Sequence, residues 1–79
     1  MLPPKLPSDV RQPRLLKALR KAGFIIDVSN GKGSHAQAVD PKSGKYITVP
    51  NHLYRIALYE ILKLAEELGY DATKIMNNY

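Results

Sequence analysis

Residues 24–50, FIIDVSNGKGSHAQAVDPKSGKYITVP, decide the fold of this 79-residue chain. Phe24, Ile26 and Val28 alternate with Ile25 and Asp27, the period of two that puts one set of side chains on each face of a strand. Phe24, Ile26 and Val28 are expected to point inward, Ile25 and Asp27 outward. Ser29-Asn30-Gly31-Lys32-Gly33 is turn sequence, because Asn-Gly supplies the positive φ angles of a tight hairpin. A second strand is expected over 34–39, a turn over Asp40-Pro41-Lys42-Ser43-Gly44, and a third strand over 45–49, stopped by Pro50. Two successive hairpins make an antiparallel meander of three strands. If the second and third strands pair around the 40–44 turn, partner numbers add to about 84, give or take one. His35 then lies near Val49, and His52 near Lys32. With Ala36 and Ala38 facing the core beside Ile47 and Val49, His35 faces away from it.

Helical patterns flank the meander. Over 13–22, Leu15, Leu16, Leu19 and Ala22 fall on one face, and Arg14, Lys17 and Lys21 on another with Arg20 at its edge. Ser8 or Asp9 is expected to cap the first turn, Pro13 is tolerated near a helix start, and Gly23 suits the left-handed C′ position. Over 53–68, Ala57, Leu58, Ile61, Leu62, Leu64, Ala65 and Leu68 form a broad apolar face. Arg55, Glu60, Lys63, Glu66 and Glu67 form the polar face, and Ile56 and Tyr59 fall inside it. Gly69 ends this helix, and Asp71 is placed to cap a short last one reaching Met76. The expected fold is α+β, a three-stranded antiparallel sheet backed by two helices, with a short C-terminal helical tail. One domain over 1–79 is expected, with 1–9 a flexible proline-rich arm and 71–79 the tail.

The composition narrows the function. There are no cysteines, so disulfides and thiolate metal sites are excluded. Two histidines without cysteine leave too few typical ligands for zinc, so no metal is expected. The longest apolar runs fall far short of the ~20 residues of a membrane span, and the first seven residues lack a secretory signal's apolar stretch. A cytoplasmic protein is the expectation. Residues 1–52 hold nine Lys/Arg against three Asp, while 53–79 hold three basic and four acidic residues. The net charge of +5 therefore belongs to the part that also carries both histidines. A basic field attracts polyanions by steering and counterion release, and also simply keeps a small protein soluble.

Gly33-Ser34-His35, entered through Lys32, and Val49-Pro50-Asn51-His52 put the two histidines at the mouths of two strands. An unperturbed imidazole, with a pKa of about 6.5, both takes and gives protons near neutrality. RNA cleavage without a metal needs a base for the ribose 2′-OH, an acid for the 5′ leaving oxygen and cations for the phosphorane. His35 is a candidate general base or acid, with Lys32 and the Gly33 and Ser34 amides positioning phosphate. The residues alone equally allow a solvent-exposed or turn-satisfying histidine, and it is a family resemblance of the surrounding motifs that turns the reading to catalysis. His52 reads first as a structural group that caps the last long helix or hydrogen-bonds the backbone there, and second as a further proton-transfer group.

The order helix, three strands, helix, with Lys32-Gly33-Ser34-His35 opening the second strand and Val49-Pro50-Asn51-His52 closing the third, resembles the HicA toxins of toxin–antitoxin pairs. Residues 15–24, Leu-Leu-Lys-Ala-Leu-Arg-Lys-Ala-Gly-Phe, look like their first helix ending in Gly-Phe, and Ile61-Leu62-Lys63-Leu64 like their second. The likeness covers roughly residues 12–70. It implies a double-stranded-RNA-binding-like α-β-β-β-α fold. It also implies a toxin that cleaves mRNA without a metal through the histidine of Gly-Ser-His, here His35, and is neutralised by a HicB antitoxin. The chain departs from the family pattern after His52, where Ala57 stands in place of the expected threonine.

Two other readings carry weight. The same fold could serve as a non-catalytic RNA-binding module, with Arg14, Lys17 and Lys21 tracking a phosphate backbone as such helix faces do. A small protein-interaction domain would use Ile56 and Tyr59 as its partner-binding surface. Tyr46, Tyr54 and Tyr70 suit base stacking or packing, and Met76 and Tyr79 are expected to cover the core's edge.

Overall fold

Leu15, Ala18 and Leu19 recur at helical spacing and form the fully buried face of α1 (Gln12–Ala22). The computed structural model describes residues 6–7, 9–28 and 35–79. The N-cap of α1 is Arg11, and no side chain caps it. The expected capping by Asp9 is thus corrected: it stands two residues before the N-cap, and its carboxylate instead pairs with the Arg11 guanidinium at 3.3 Å. Ser8, the other candidate cap, and most of the proline-rich arm lie outside the described residues. The helix ends as expected at Gly23, whose φ of 124° disfavours any side chain and whose N–H donates to the Arg20 carbonyl at 3.1 Å.

Three antiparallel strands follow, β1 (Ile25–Asp27), β2 (His35–Val39) and β3 (Tyr46–Pro50), lying side by side in chain order. In the β2–β3 ladder His35 faces Pro50, Ala36 faces Val49 and Ala38 faces Ile47. The register falls inside the expected window, one residue beyond its centre. Ala36, Ala38, Ile47 and Val49 are buried, so one sheet face packs on the helices and the other is open. Two expectations are corrected. Val28 is exposed rather than inward, because Asp27↔Gln37 is the last pair of the first ladder and the chain leaves the sheet there. Pro50 belongs to β3 rather than stopping it; β3 is an edge strand, where a missing N–H is tolerated. The Asn30-Gly31 turn lies outside the described residues.

Helix α2 (Arg55–Glu67) buries Leu58, Ile61, Leu62 and Ala65. Leu64, expected on that face, is 44% exposed: it sits at the margin of the stripe, beside Tyr46 and Leu68 along the β3 edge. The chain turns at Gly69, with φ 97°. Asp71 then caps α3 (Ala72–Asn77) by accepting the Thr73 N–H at 2.9 Å, as expected. Ala72 and Ile75 close the core, with Met76 and Tyr79 against its edge. The layout is α+β with the order α-β-β-β-α and a short helical tail.

The 40–44 turn is fixed from inside. Asp40 is 2% exposed, the one buried charged side chain among the described residues. Its carboxylate accepts the Ser43 and Tyr70 hydroxyls, each at 2.8 Å, and the Lys42 N–H at 3.3 Å. The Ser43 and Tyr70 hydrogen bonds hold Asp40 below the usual carboxylate range against the opposing effect of burial. Burial, then the bond and charge of Asp40, push the Tyr70 phenol up, so it remains a donor. Tyr70 also stacks on Phe24, ring centroids 4.1 Å apart.

Two outcomes are expected. Leu62→Ala should cost about 2–5 kcal/mol, because the site is fully enclosed, and urea denaturation will measure it. For Asp40 the lowered pKa means stability that is complete above about pH 4 and is lost as pH falls through the depressed value. Tyr70→Phe removes one donor, so its deficit in thermal midpoint should be full near about pH 6 and should shrink near about pH 2.5. An equal deficit at both would contradict the assignment.

Candidate nucleic-acid interface

Strand alternation positions His35. Its neighbour Ala36 is buried, so His35 stands exposed on the open face at the end of β2, beside Pro50 of β3. His52, also exposed, follows Pro50 by two residues. Ladder spacing and chain geometry then bound the separation of the two histidine Cα atoms at about 13 Å. Two imidazoles within that span can flank one phosphodiester. Lys32, Gly33 and Ser34, the expected phosphate-positioning residues, lie outside the described residues.

His52 lines an open groove of about 400 Å³ between the start of α1 and the segment leaving β3. The Gln12 side-chain amide joins these walls by donating to the Val49 carbonyl at 3.0 Å. Arg11 lies in the same groove. Its ion pair with Asp9 is solvent-exposed on both sides, so an arriving phosphate can displace it at little cost. Sequence reasoning passed over Arg11, because the start of α1 comes beside the end of β3 only through tertiary packing, where Gln12 bonds to Val49. The capping role for His52 is not what forms: the N-cap of α2 is Tyr54, without a side-chain cap bond, and no hydrogen bond from His52 appears among the described residues.

The basic face of α1 divides. Lys17 and Lys21 are exposed. Arg14 is engaged by the C-terminal residue instead: its Nε donates to the Tyr79 backbone oxygen at 3.0 Å, and its guanidinium lies 4.7 Å from the Tyr79 ring centroid. The Tyr79 hydroxyl accepts the Arg11 N–H at 2.6 Å and donates to the Asp9 carbonyl at 3.2 Å. This tie between positions 65–70 residues apart carries no periodicity signal.

On α2, Ile56 is 78% and Tyr59 43% exposed, with Lys63 6.0 Å from the Tyr59 ring centroid. Tyr46 and Tyr54 are exposed too, whereas Tyr70 serves packing. Among the described residues no three His, Asp or Glu side chains gather as a metal site, and no helix is long and apolar enough to cross a membrane.

Comparison with known proteins adds one finding. The family model described as the HicA toxin of bacterial toxin–antitoxin pairs matches residues 13–67, from the first turn of α1 to the end of α2, with both histidines inside. No curated protein and no solved structure matches the chain. The matched span is well over half of the sequence and coincides with the α-β-β-β-α layout: the chain belongs to the HicA toxin family, whose members are paired with an antitoxin.

Proposed function

We propose that this HicA toxin is a metal-independent endoribonuclease that cleaves mRNA in the cytoplasm and is neutralised by a HicB-type antitoxin. The observation that carries the reading is the exposed His35 on the open sheet face, one ladder step from the strand that leads into His52. One imidazole takes the proton of the ribose 2′-OH as that oxygen attacks phosphorus. The other protonates the 5′ oxygen as the P–O5′ bond breaks. His35 is the principal group, and His52 the second. Lys32 and the Gly33 and Ser34 amides offset the phosphorane charge, and Arg11 assists from the groove beside His52. Lys17 and Lys21 track the flanking backbone, while Arg14 contributes less because Tyr79 holds it. Ile56 and Tyr59 give the antitoxin an apolar surface on α2.

A second reading is favoured by one residue. Ala57, half-buried in the first turn of α2, replaces the threonine the family pattern leads one to expect, and a methyl group offers no hydrogen bond to a substrate. A non-catalytic RNA-binding module would tolerate that change.

Controlled expression of the chain and of His35→Ala separates the readings. The parent should arrest growth and fragment mRNA, and His35→Ala should lose about 10²–10⁴-fold of the cleavage rate on RNA. Equal activity of the two overturns the histidine mechanism, and binding without cleavage by the parent favours the module. His52→Ala should remove one limb of the pH–rate profile. In RNA-binding titrations, neutralising Lys17 and Lys21 together should lower the slope of log K against log salt by about 1.4–1.8, and Arg14→Ala should change it far less.

A further inference from the structure

Between α1 and β1 runs an open groove of about 610 Å³. It lies at the other end of the sheet from the histidines: Ile25 faces Val39, the last residue of β2, whereas His35 is its first. Leu16, Phe24 and Ile26 give the groove an apolar floor, and Lys17 and Arg20 stand along its α1 side. Beside it is the outer edge of β1, which no strand pairs among the described residues. A strand directs alternate backbone amides and carbonyls to each edge, so an unpaired edge is a template for another chain. Ile25, 58% exposed, shows an apolar side chain on the open face of the same strand.

These features fit one kind of occupant. A peptide laid along β1 as a fourth strand would alternate its side chains, one set dropping onto Leu16 and Ile26 and the other lying beside Ile25. Lys17 and Arg20, one helical turn apart, form no ion pair with any described residue and face the incoming chain. A second copy of this protein would bring the same two cations and another net charge of +5 against them. An acidic segment would neutralise them instead.

The geometry points to β1 and this groove as a strand-addition site for an extended, acidic segment of the antitoxin, with aliphatic side chains at alternate positions and carboxylates toward α1. The inference rests on the chain being held by an antitoxin protein, and it adds a contact far from both the histidines and the Ile56/Tyr59 surface.

The test takes the full chain with the antitoxin encoded by the adjoining reading frame, comparing the parent with Arg20→Glu and Ile25→Asp. Both side chains are exposed, so both variants should fold, which circular dichroism will check. Each substitution is expected to weaken the complex by about tenfold or more, and hydrogen exchange should show the residue 25–27 amides protected in the parent complex. Unchanged affinity in both variants, or protection confined to α2, overturns the strand-addition site while leaving the antitoxin pairing intact. If that partner does not bind the parent, the pairing with that frame fails, and a synthetic ten-residue peptide of alternating Val and Glu decides the groove alone. Shifts of the residue 25–27 amides with this peptide, and none with a Val–Lys counterpart, support the site. Absence of shifts, equal shifts with both peptides, self-association through β1, or the same shifts with a short RNA overturn it.

Discussion

The orientation of His35 depends on the carboxylate of Asp40. Asp40 closes the β2–β3 turn through its backbone, donating to the Lys45 carbonyl at 2.7 Å and accepting the Gly44 N–H at 2.8 Å. Its side chain anchors the same turn to Tyr70, thirty residues away, beyond the end of α2. A turn held at one length fixes the ladder, and the ladder sets Ala36 and Ala38 inward and His35 outward. A slip of one residue would exchange the two faces, burying an imidazole and exposing the small core residues. Desolvating Asp40 is costly, but three donors compensate it and the register becomes unambiguous.

Much of this frame is legible in the sequence because it follows from short-range rules. The Asp-Pro-Lys-Ser-Gly run marks a turn by its residue types, and alternation in Ala36-Gln37-Ala38 and Ile47-Thr48-Val49 gives the faces. Gly23 and Asp71 announce helix ends through backbone freedom and capping chemistry. What escapes is long-range. Nothing local tells that Tyr70 reaches Asp40, that Tyr79 takes Arg14 off the basic face, or that Gln12 brings Arg11 to the groove of His52. Val28 misled because alternation continues past the point where pairing stops.

The helices do more than fill the back of the sheet. Alanines at 36 and 38 are too small to bury the sheet face by themselves, so Leu15 and Leu19 of α1 and Leu58 and Leu62 of α2 supply the apolar volume of the same core. The last helix helps close the core: Ala72 and Ile75 are buried where α3 packs on the two longer helices, and Tyr79 fastens the start of α1. In a domain this small, each such contact is a sizeable share of a net stability of a few kcal/mol.

Packing and charge then divide the surface. The buried set occupies the helix-facing side of the sheet and leaves the other side open, with both histidines at one end of it. The cations crowd the first half of the chain, while α2 and the tail are close to neutral and slightly acidic. A polyanion would therefore be drawn to α1 and the sheet rather than to α2. The apolar positions exposed on α2 and along β1 differ in their charged surroundings: Ile56 and Tyr59 on α2 stand among mixed charges, whereas Ile25 on β1 borders a groove that carries Lys17 and Arg20.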